Sequence, residues 1–183
     1  MKSRIEIIDN ALDSYAQDVL ENIVTDFNFA WYYRPTTIGG LDPRIDKHQF
    51  VHFCYEKSTG EKNTNYENVM RFFSTLPELQ THILHRVQFN LNTPYKRRYI
   101  DNIMHVDLQD KFAKPRKGGV TYLYYPIDSD GPTTFLEKGR KYKVHPKKGT
   151  LVKFPCDVQH SPNVPFKYEK RIVLNIVFEP RDN

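Results

Sequence analysis

Cysteine is almost missing from this chain, which has two in 183 residues. Cys54 and Cys156 are too few for a disulfide framework and too few for a structural zinc site. They read as buried or half-buried thiols in a reducing cytosol. Tryptophan occurs once, and glycine is outnumbered by proline, 8 to 12, which points to many loops between short elements. No apolar run approaches the roughly 20 residues of a membrane helix, so no membrane partner is expected. The opening residues, MKSRIEIIDN, lack the apolar stretch and small-residue cleavage site of a secretory signal. The expectation is a cytoplasmic protein, in the host cytoplasm if it is viral. Internal repeats and low-complexity tracts are also missing.

What the chain does have is aromatic bulk. Its hydrophobic fraction is 39%, with 12 Tyr and 12 Phe, enough for a packed core and against global disorder. Its length suits a single domain over residues 1–183, with 1–81 as an N-terminal support and 82–179 as the core. Net charge is +5. The basic residues cluster at 96–98, 111–117, 138–143 and 147–148. This balance leaves nucleic acid or an anionic substrate open as a partner, although no nucleic-acid motif accompanies it and a solvated surface is the simpler account.

Along the first third, residues 3–8 alternate like a short strand. Leu12, Tyr15, Ala16, Val19, Leu20 and Ile23 recur at helical spacing, which predicts a helix over 11–26 that starts near Asn10 or Asp13. Residues 29–34 and 49–55 read as strands and 65–75 as a second helix. Residues 36–46 read as a loop around Gly39, Gly40 and Pro43. The cluster Trp31, Tyr32, Tyr33 and Arg34 reads as core packing in preference to a substrate-gripping rim. From residue 82 the pattern changes to short β segments at 83–92, 99–106, 119–125, 133–137, 141–144, 150–154, 158–161 and 170–179. Turn residues divide them, which is the signature of a β-sandwich or jelly roll, with the helices covering one sheet face.

His105-Val106-Asp107 puts an imidazole and a carboxylate on one side of a predicted strand. With His160 they form the two-histidine, one-carboxylate triad that leaves positions open on non-haem iron(II). Arg171 begins the last apolar strand, where a guanidinium can grip a carboxylate through two parallel hydrogen bonds. A buried arginine with no anion would be costly, so an anionic ligand is expected in the same cavity. The alternatives are that both histidines are ordinary core or surface residues and that Arg171 pairs with Glu169 or Glu179. His48, His52, His82, His85 and His145 have no partners at metal spacing and read as structural. The basic loop 109–118 reads either as a lid over the mouth or as a solvated connector.

These pieces stand in a characteristic order. His105-Val106-Asp107 is followed by the aromatic strand 120–125, the segment 130–135, the glycine-bearing strand 148–154, His160 and finally Arg171-Ile172-Val173-Leu174-Asn175. In that order, over residues 83–179, the chain resembles the iron(II)/2-oxoglutarate dioxygenase superfamily, its prolyl-hydroxylase-like branch and related bacteriophage oxygenases. Gly131-Pro132-Thr133 stands where the family's Gly-Gly-Thr turn is usual, and some prolyl hydroxylases use Lys in place of Arg171. The resemblance implies a mainly β fold with N-terminal helices, whose core is a double-stranded β-helix (jelly roll, cupin-like) with helices packed on one sheet. It implies catalytic iron(II) ligands His105, Asp107 and His160. It implies 2-oxoglutarate held at its far carboxylate by Arg171, with the hydroxyl of Tyr125 alongside. Leu123 and Thr121 would face the same cavity by alternation, as would Asn175 and either Asn90 or Asn92. The implied reaction is hydroxylation of a C–H bond, with dioxygen consumed and 2-oxoglutarate decarboxylated to succinate and CO2. Ascorbate is the implied reductant and a protein or peptide residue such as proline the implied target. Rival readings are an oxygenase acting on nucleic acid or a small molecule, and a non-catalytic cupin-like protein that binds metal or an anion.

Overall fold

A computed structural model describes residues 3–37, 48–94, 103–110 and 112–181. Eleven strands and three α-helices are present among them. In chain order they are β1 (Glu6–Ile8), α1 (Ser14–Thr25), β2 (Tyr32–Arg34), β3 (Gln49–Glu56), β4 (Glu61–Lys62), α2 (Asn65–Met70), α3 (Glu78–Thr81), β5 (His82–Asn92), β6 (Val120–Tyr124), β7 (Thr133–Glu137), β8 (Arg140–Val144), β9 (Leu151–Pro155), β10 (Gln159–Pro162) and β11 (Arg171–Pro180), with a 3-10 turn at Arg71–Phe73. An eight-stranded antiparallel sheet runs β1-β9-β6-β11-β5-β3-β2, with β4 beside β3, and a three-stranded sheet runs β10-β7-β8. The two sheets face each other as a jelly roll with helices on the outer face of the larger one, so the double-stranded β-helix expected from the sequence is the observed core. No described helix is long and apolar enough to cross a membrane.

The period of two in each strand sorts side chains between two environments. On β11, Ile172, Leu174, Ile176 and Phe178 are fully buried and share a cluster with Leu20 and Val24 of α1, Val69 and Met70 of α2, and Phe73. Val87 and Phe89 of β5 and Tyr122 and Tyr124 of β6 belong to the same layer. The alternate residues of β6 and β11, Leu123 and Val173, point the other way and pack with Phe135, Val152 and Phe154 inside the roll. Helix α1 starts where its sequence allows a cap: Asp13 accepts a hydrogen bond from the Ala16 N–H at 2.8 Å. A polar cluster under the helices is satisfied within itself, since Glu78 accepts from the Tyr122 hydroxyl at 2.5 Å and pairs with Lys153 at 2.8 Å.

Three readings need adjustment. The predicted strand over 99–106 lies partly outside the described residues, and where it is described it forms no ladder, only a bridge between His105 and His160. The short helix α3 and the strand β4 were not expected, because four and two residues carry too little periodicity to register. The glycine-bearing loop 36–46 falls mostly outside the described residues.

Leu20 is fully buried between α1 and the large sheet. Leu20→Ala is expected to cost about 3 kcal/mol of unfolding free energy, read by urea denaturation with an unchanged slope. A loss below about 1 kcal/mol would show that α1 is not seated on this layer.

Candidate active site

The interior faces of the central strands are polar where the helix-facing sides are aliphatic. Strand β5 turns Arg86, Gln88 and Asn90 into the roll, β11 turns Arg171, Val173 and Asn175, and β6 contributes Leu123. Together with His105, Asp107 and His160 they line a cavity of about 260 Å³.

The two histidines are drawn together by the backbone. The His105 N–H donates to the His160 carbonyl and the His160 N–H to the His105 carbonyl, each at 2.9 Å. Their ring centroids lie 4.5 Å apart. The backbone also orients both rings: His105 Nδ1 faces the Ile103 carbonyl at 3.3 Å and His160 Nδ1 faces the Val158 carbonyl at 3.1 Å. A carbonyl only accepts, so each ring carries a proton on Nδ1, and Nε2 is the nitrogen that remains to face a metal. Asp107 Oδ2 lies 3.5 Å from His160 Nε2. One ligand atom from each of the three residues falls within 4.8 Å of the others. This is a donor set of two imidazoles and one carboxylate, which suits a divalent first-row metal.

Asp107 is held by three donors. Thr121 Oγ1 donates to Oδ2 at 2.7 Å, and Oδ1 accepts from Arg86 at 3.1 Å and Asn175 at 3.3 Å. Burial alone would raise the Asp107 pKa, but His160 and Arg86 outweigh it and hold the group down at about 2. Burial, then His160, pulls His105 down to about 4. At neutral pH the pair is therefore a carboxylate and a neutral imidazole, the protonation states that bind a metal. Behind Asp107, the Thr121 hydroxyl also lies 3.2 Å from Cys156 Sγ. Burial and the nearby Asp107 push that thiol up to about 12.

Arg171 is buried at 1% exposure. Its guanidinium donates to the Gly131 carbonyl at 2.8 Å, the Asn92 amide oxygen at 3.2 Å and the Thr133 hydroxyl at 2.7 Å. All three acceptors are neutral, and no carboxylate pairs with it among the described residues. Glu179 is taken by Lys57 and by Arg116 at 3.2 Å, and Glu169 is exposed. The alternative pairings for Arg171 are thereby removed. Tyr125, also fully buried, reaches the same group through Thr133, its hydroxyl 2.7 Å from Thr133 Oγ1.

The structure places the other predicted residues as follows. Leu123, Asn90 and Asn175 line the cavity, whereas Asn92 supports Arg171 from beside it. Thr121 faces inward and is engaged with Asp107. Arg86, Gln88 and Thr133 were not singled out from the sequence. The signal for the first two was a polar residue at every second position of β5, from Arg86 to Asn92, between Val87, Phe89 and Leu91.

The aromatic cluster at 31–34 divides. Trp31 packs against the core, Tyr32 and Tyr33 are exposed at 61% and 62%, and Arg34 lines the cavity. The preference for core packing therefore holds for Trp31 alone; β2 is an edge strand, with too little sheet beside it to bury both tyrosines. In the 109–118 loop, Asp110 accepts from the N–H groups of Phe112 and Lys114, and Arg116 ties the loop to Glu179. Gln109 reaches the cavity. His52 is structural, bonded to the Ala30 carbonyl at 2.7 Å and to Asn63.

No family model matches the sequence, and no curated protein matches it. The fold, however, is widely shared among solved structures. It is the fold of the iron(II)/2-oxoglutarate oxygenases, including several prolyl hydroxylases. The viral collagen prolyl hydroxylase of Paramecium Bursaria Chlorella virus-1, in its 2-oxoglutarate complex, superposes with a TM-score of 0.60 at 19% identity, covering 96% of each chain. A Trichoplax adhaerens prolyl hydroxylase bound to a hypoxia-inducible-factor peptide gives 0.64 at 17%, covering 97% of this chain and 84% of that one. The α-ketoglutarate-dependent carbocyclase SnoK of nogalamycin biosynthesis gives 0.66 at 10%, covering 98% and 80%.

Two outcomes follow from the geometry. Thr121→Val removes the hydroxyl on Asp107 while keeping the shape. Iron(II) or cobalt(II) affinity is expected to fall about 10-fold or more by titration, with thermal stability little changed; unaltered affinity would remove Thr121 from the support of the metal ligand. The second concerns pH. His105 is held at about 4 against 6.5 in a free chain, so between those values the folded protein binds fewer protons than the unfolded one. Acidification through that window therefore favours unfolding. The Asp107 shift acts only further down, from 3.8 to about 2. The metal-free protein should lose several degrees of Tm from about pH 7 to about pH 4.5, and His105→Gln should flatten that slope. Identical slopes would contradict a buried neutral imidazole.

Proposed function

We propose that this chain is an iron(II)- and 2-oxoglutarate-dependent dioxygenase that hydroxylates a C–H bond, on a protein or peptide residue such as proline. Residues 1–183 would act as one domain. The observation that carries the reading is Arg171: a buried guanidinium with only neutral acceptors opens onto the same cavity as a His-Asp-His triad. That combination calls for a metal at one end and an anion at the other. Between Arg171 and Asn175, which touches Asp107, β11 runs for roughly 13 Å. A short dicarboxylate bound through one end at Arg171 can direct its other end toward the triad.

His105, Asp107 and His160 would hold iron(II), and the ion would supply the oxidation of the C–H bond with dioxygen while 2-oxoglutarate is converted to succinate and CO2. The chain itself supplies placement. Arg171, Thr133 and Asn92 fix the far carboxylate, with Tyr125 behind Thr133. Thr121, Arg86 and Asn175 fix Asp107, leaving lone pairs on its carboxylate for the ion. Leu123 and Val173 supply the apolar wall that excludes water from the reacting end. Ascorbate enters only as an external reductant of the iron, with no residue assigned to it. The peptide target is supported by the Trichoplax neighbour, which holds a peptide. The free, buried thiols fit a reducing cytoplasm.

The test is anaerobic loading with iron(II) and 2-oxoglutarate, followed by air. The wild type should show a visible charge-transfer band and release succinate, and His105→Ala and Asp107→Ala should do neither. Arg171→Ala should raise the 2-oxoglutarate requirement on the order of 100-fold. Succinate release retained by either ligand variant would refute the assignment. A band without turnover across peptide, nucleic-acid and small-molecule panels would favour a binding protein.

A further inference from the structure

The cavity holds a third guanidinium that neither the metal nor the co-substrate needs. Arg34, at the end of β2, lines it. In the sheet Arg34 pairs with Gln49 of β3, whose side chain lines the same wall. Strands β3 and β5 separate β2 from β11, which sets the Arg34 backbone roughly 14 Å across the sheet from that of Arg171. Arg34 is half-buried and has no hydrogen-bond or ion-pair partner among the described residues.

The charge balance of the described lining is informative. It carries Arg34, Arg86 and Arg171 against the single carboxylate of Asp107. A ferrous ion adds two positive charges and a dicarboxylate co-substrate removes two, so the excess of guanidinium remains with both in place. Arg86 is spent on Asp107 and Arg171 on the co-substrate, which leaves Arg34 facing whatever enters last. Gln88 is 3% exposed and its Oε1 has no partner, so that wall also keeps an unmet acceptor. Two residues before Arg34, on the same face of β2, Tyr32 leaves 61% of its surface exposed. An aromatic ring beside an edge strand suits an extended chain laid along it.

We propose that Arg34 is a substrate-recognition residue and that the substrate is a peptide carrying an Asp or Glu side chain close to the residue that reacts. This rests on the reading of the cavity as an iron and 2-oxoglutarate site. Arg34 would bind the side-chain carboxylate, Gln88 would accept from a peptide N–H, and Tyr32 would pack against the flanking chain.

The experiment is selection of a random peptide library on the full-length protein, loaded anaerobically with iron(II) and 2-oxoglutarate, with a single-stranded oligonucleotide as competitor. Three proteins are compared: wild type, Arg34→Glu, and Lys143→Glu on the exposed strand β8 as a control for the general positive charge. Wild type and Lys143→Glu should enrich acidic peptides. Arg34→Glu should lose that enrichment at least 10-fold and favour Lys and Arg, while its charge-transfer band stays at wild-type 2-oxoglutarate affinity. The proposal is overturned by a wild-type selection without acidic enrichment, by equal losses in the two variants, or by displacement of the peptides by the oligonucleotide. It is also overturned if the Arg34 variant loses 2-oxoglutarate affinity, which would assign Arg34 to the co-substrate. Absence of the band in the wild type would instead bring down the oxygenase reading itself, and this proposal with it.

Discussion

A pair of backbone hydrogen bonds between His105 and His160 is what the site depends on. The two residues are 55 positions apart and belong to no common strand ladder, yet each N–H meets the other's carbonyl at 2.9 Å. That single bridge sets the spacing of the imidazoles. The local carbonyls of Ile103 and Val158 then fix which nitrogen faces inward. Side-chain contacts alone would leave the rings free to turn. Backbone pairing ties His105, which lies in no described strand, to His160 on β10, so both imidazoles share the rigidity of one sheet, which is how a site gains precision from a scaffold.

The rest of the architecture follows from one sorting rule. Residues at even numbers on β11 from Ile172 to Phe178 are apolar and meet the helices, while Arg171, Asn175 and their β5 neighbours face inward. The helices are therefore not ornaments. They absorb the apolar face, so that the opposite face of the same strands is free to be polar. Polar groups on that inner face are costly unless they are satisfied, and several remain unsatisfied there: Gln88 Oε1, Asn92 Nδ2, Asn175 Oδ1 and Arg86 Nε. An interior built this way is poorly suited to standing empty, and its chemistry is that of a ligand cavity more than of a stabilising core.

Much of this was legible in the chain itself. The alternation of β11 and the aromatic run of β6 mark strands that the structure contains, and the order of His105, Asp107, His160 and Arg171 pointed to residues that do converge on one cavity. Other parts were hidden for physical reasons. The aromatic residues 31–33 look like core because tyrosine is apolar over most of its surface, and only the position of β2 at a sheet edge shows that Tyr32 and Tyr33 stay exposed. Arg86 escaped notice because its significance is a contact with Asp107, 21 residues on, and pairing across a fold leaves no local periodicity. Thr133 was visible as a strand residue, but its place between Tyr125 and Arg171 depends on how two sheets face one another.

Cys156 lies one side chain behind the Asp107 carboxylate, in contact with Thr121. A sulfur so near a nitrogen and oxygen donor set would ordinarily invite the softer, more thiophilic ions, since thiolate selects zinc and copper(I). Only the deprotonated form is a strong ligand, and burial pushes this thiol up to about 12. In the folded, metal-free protein this sulfur is therefore a protonated thiol held against Thr121, packed behind Asp107 and not presented as a fourth donor beside the two imidazoles.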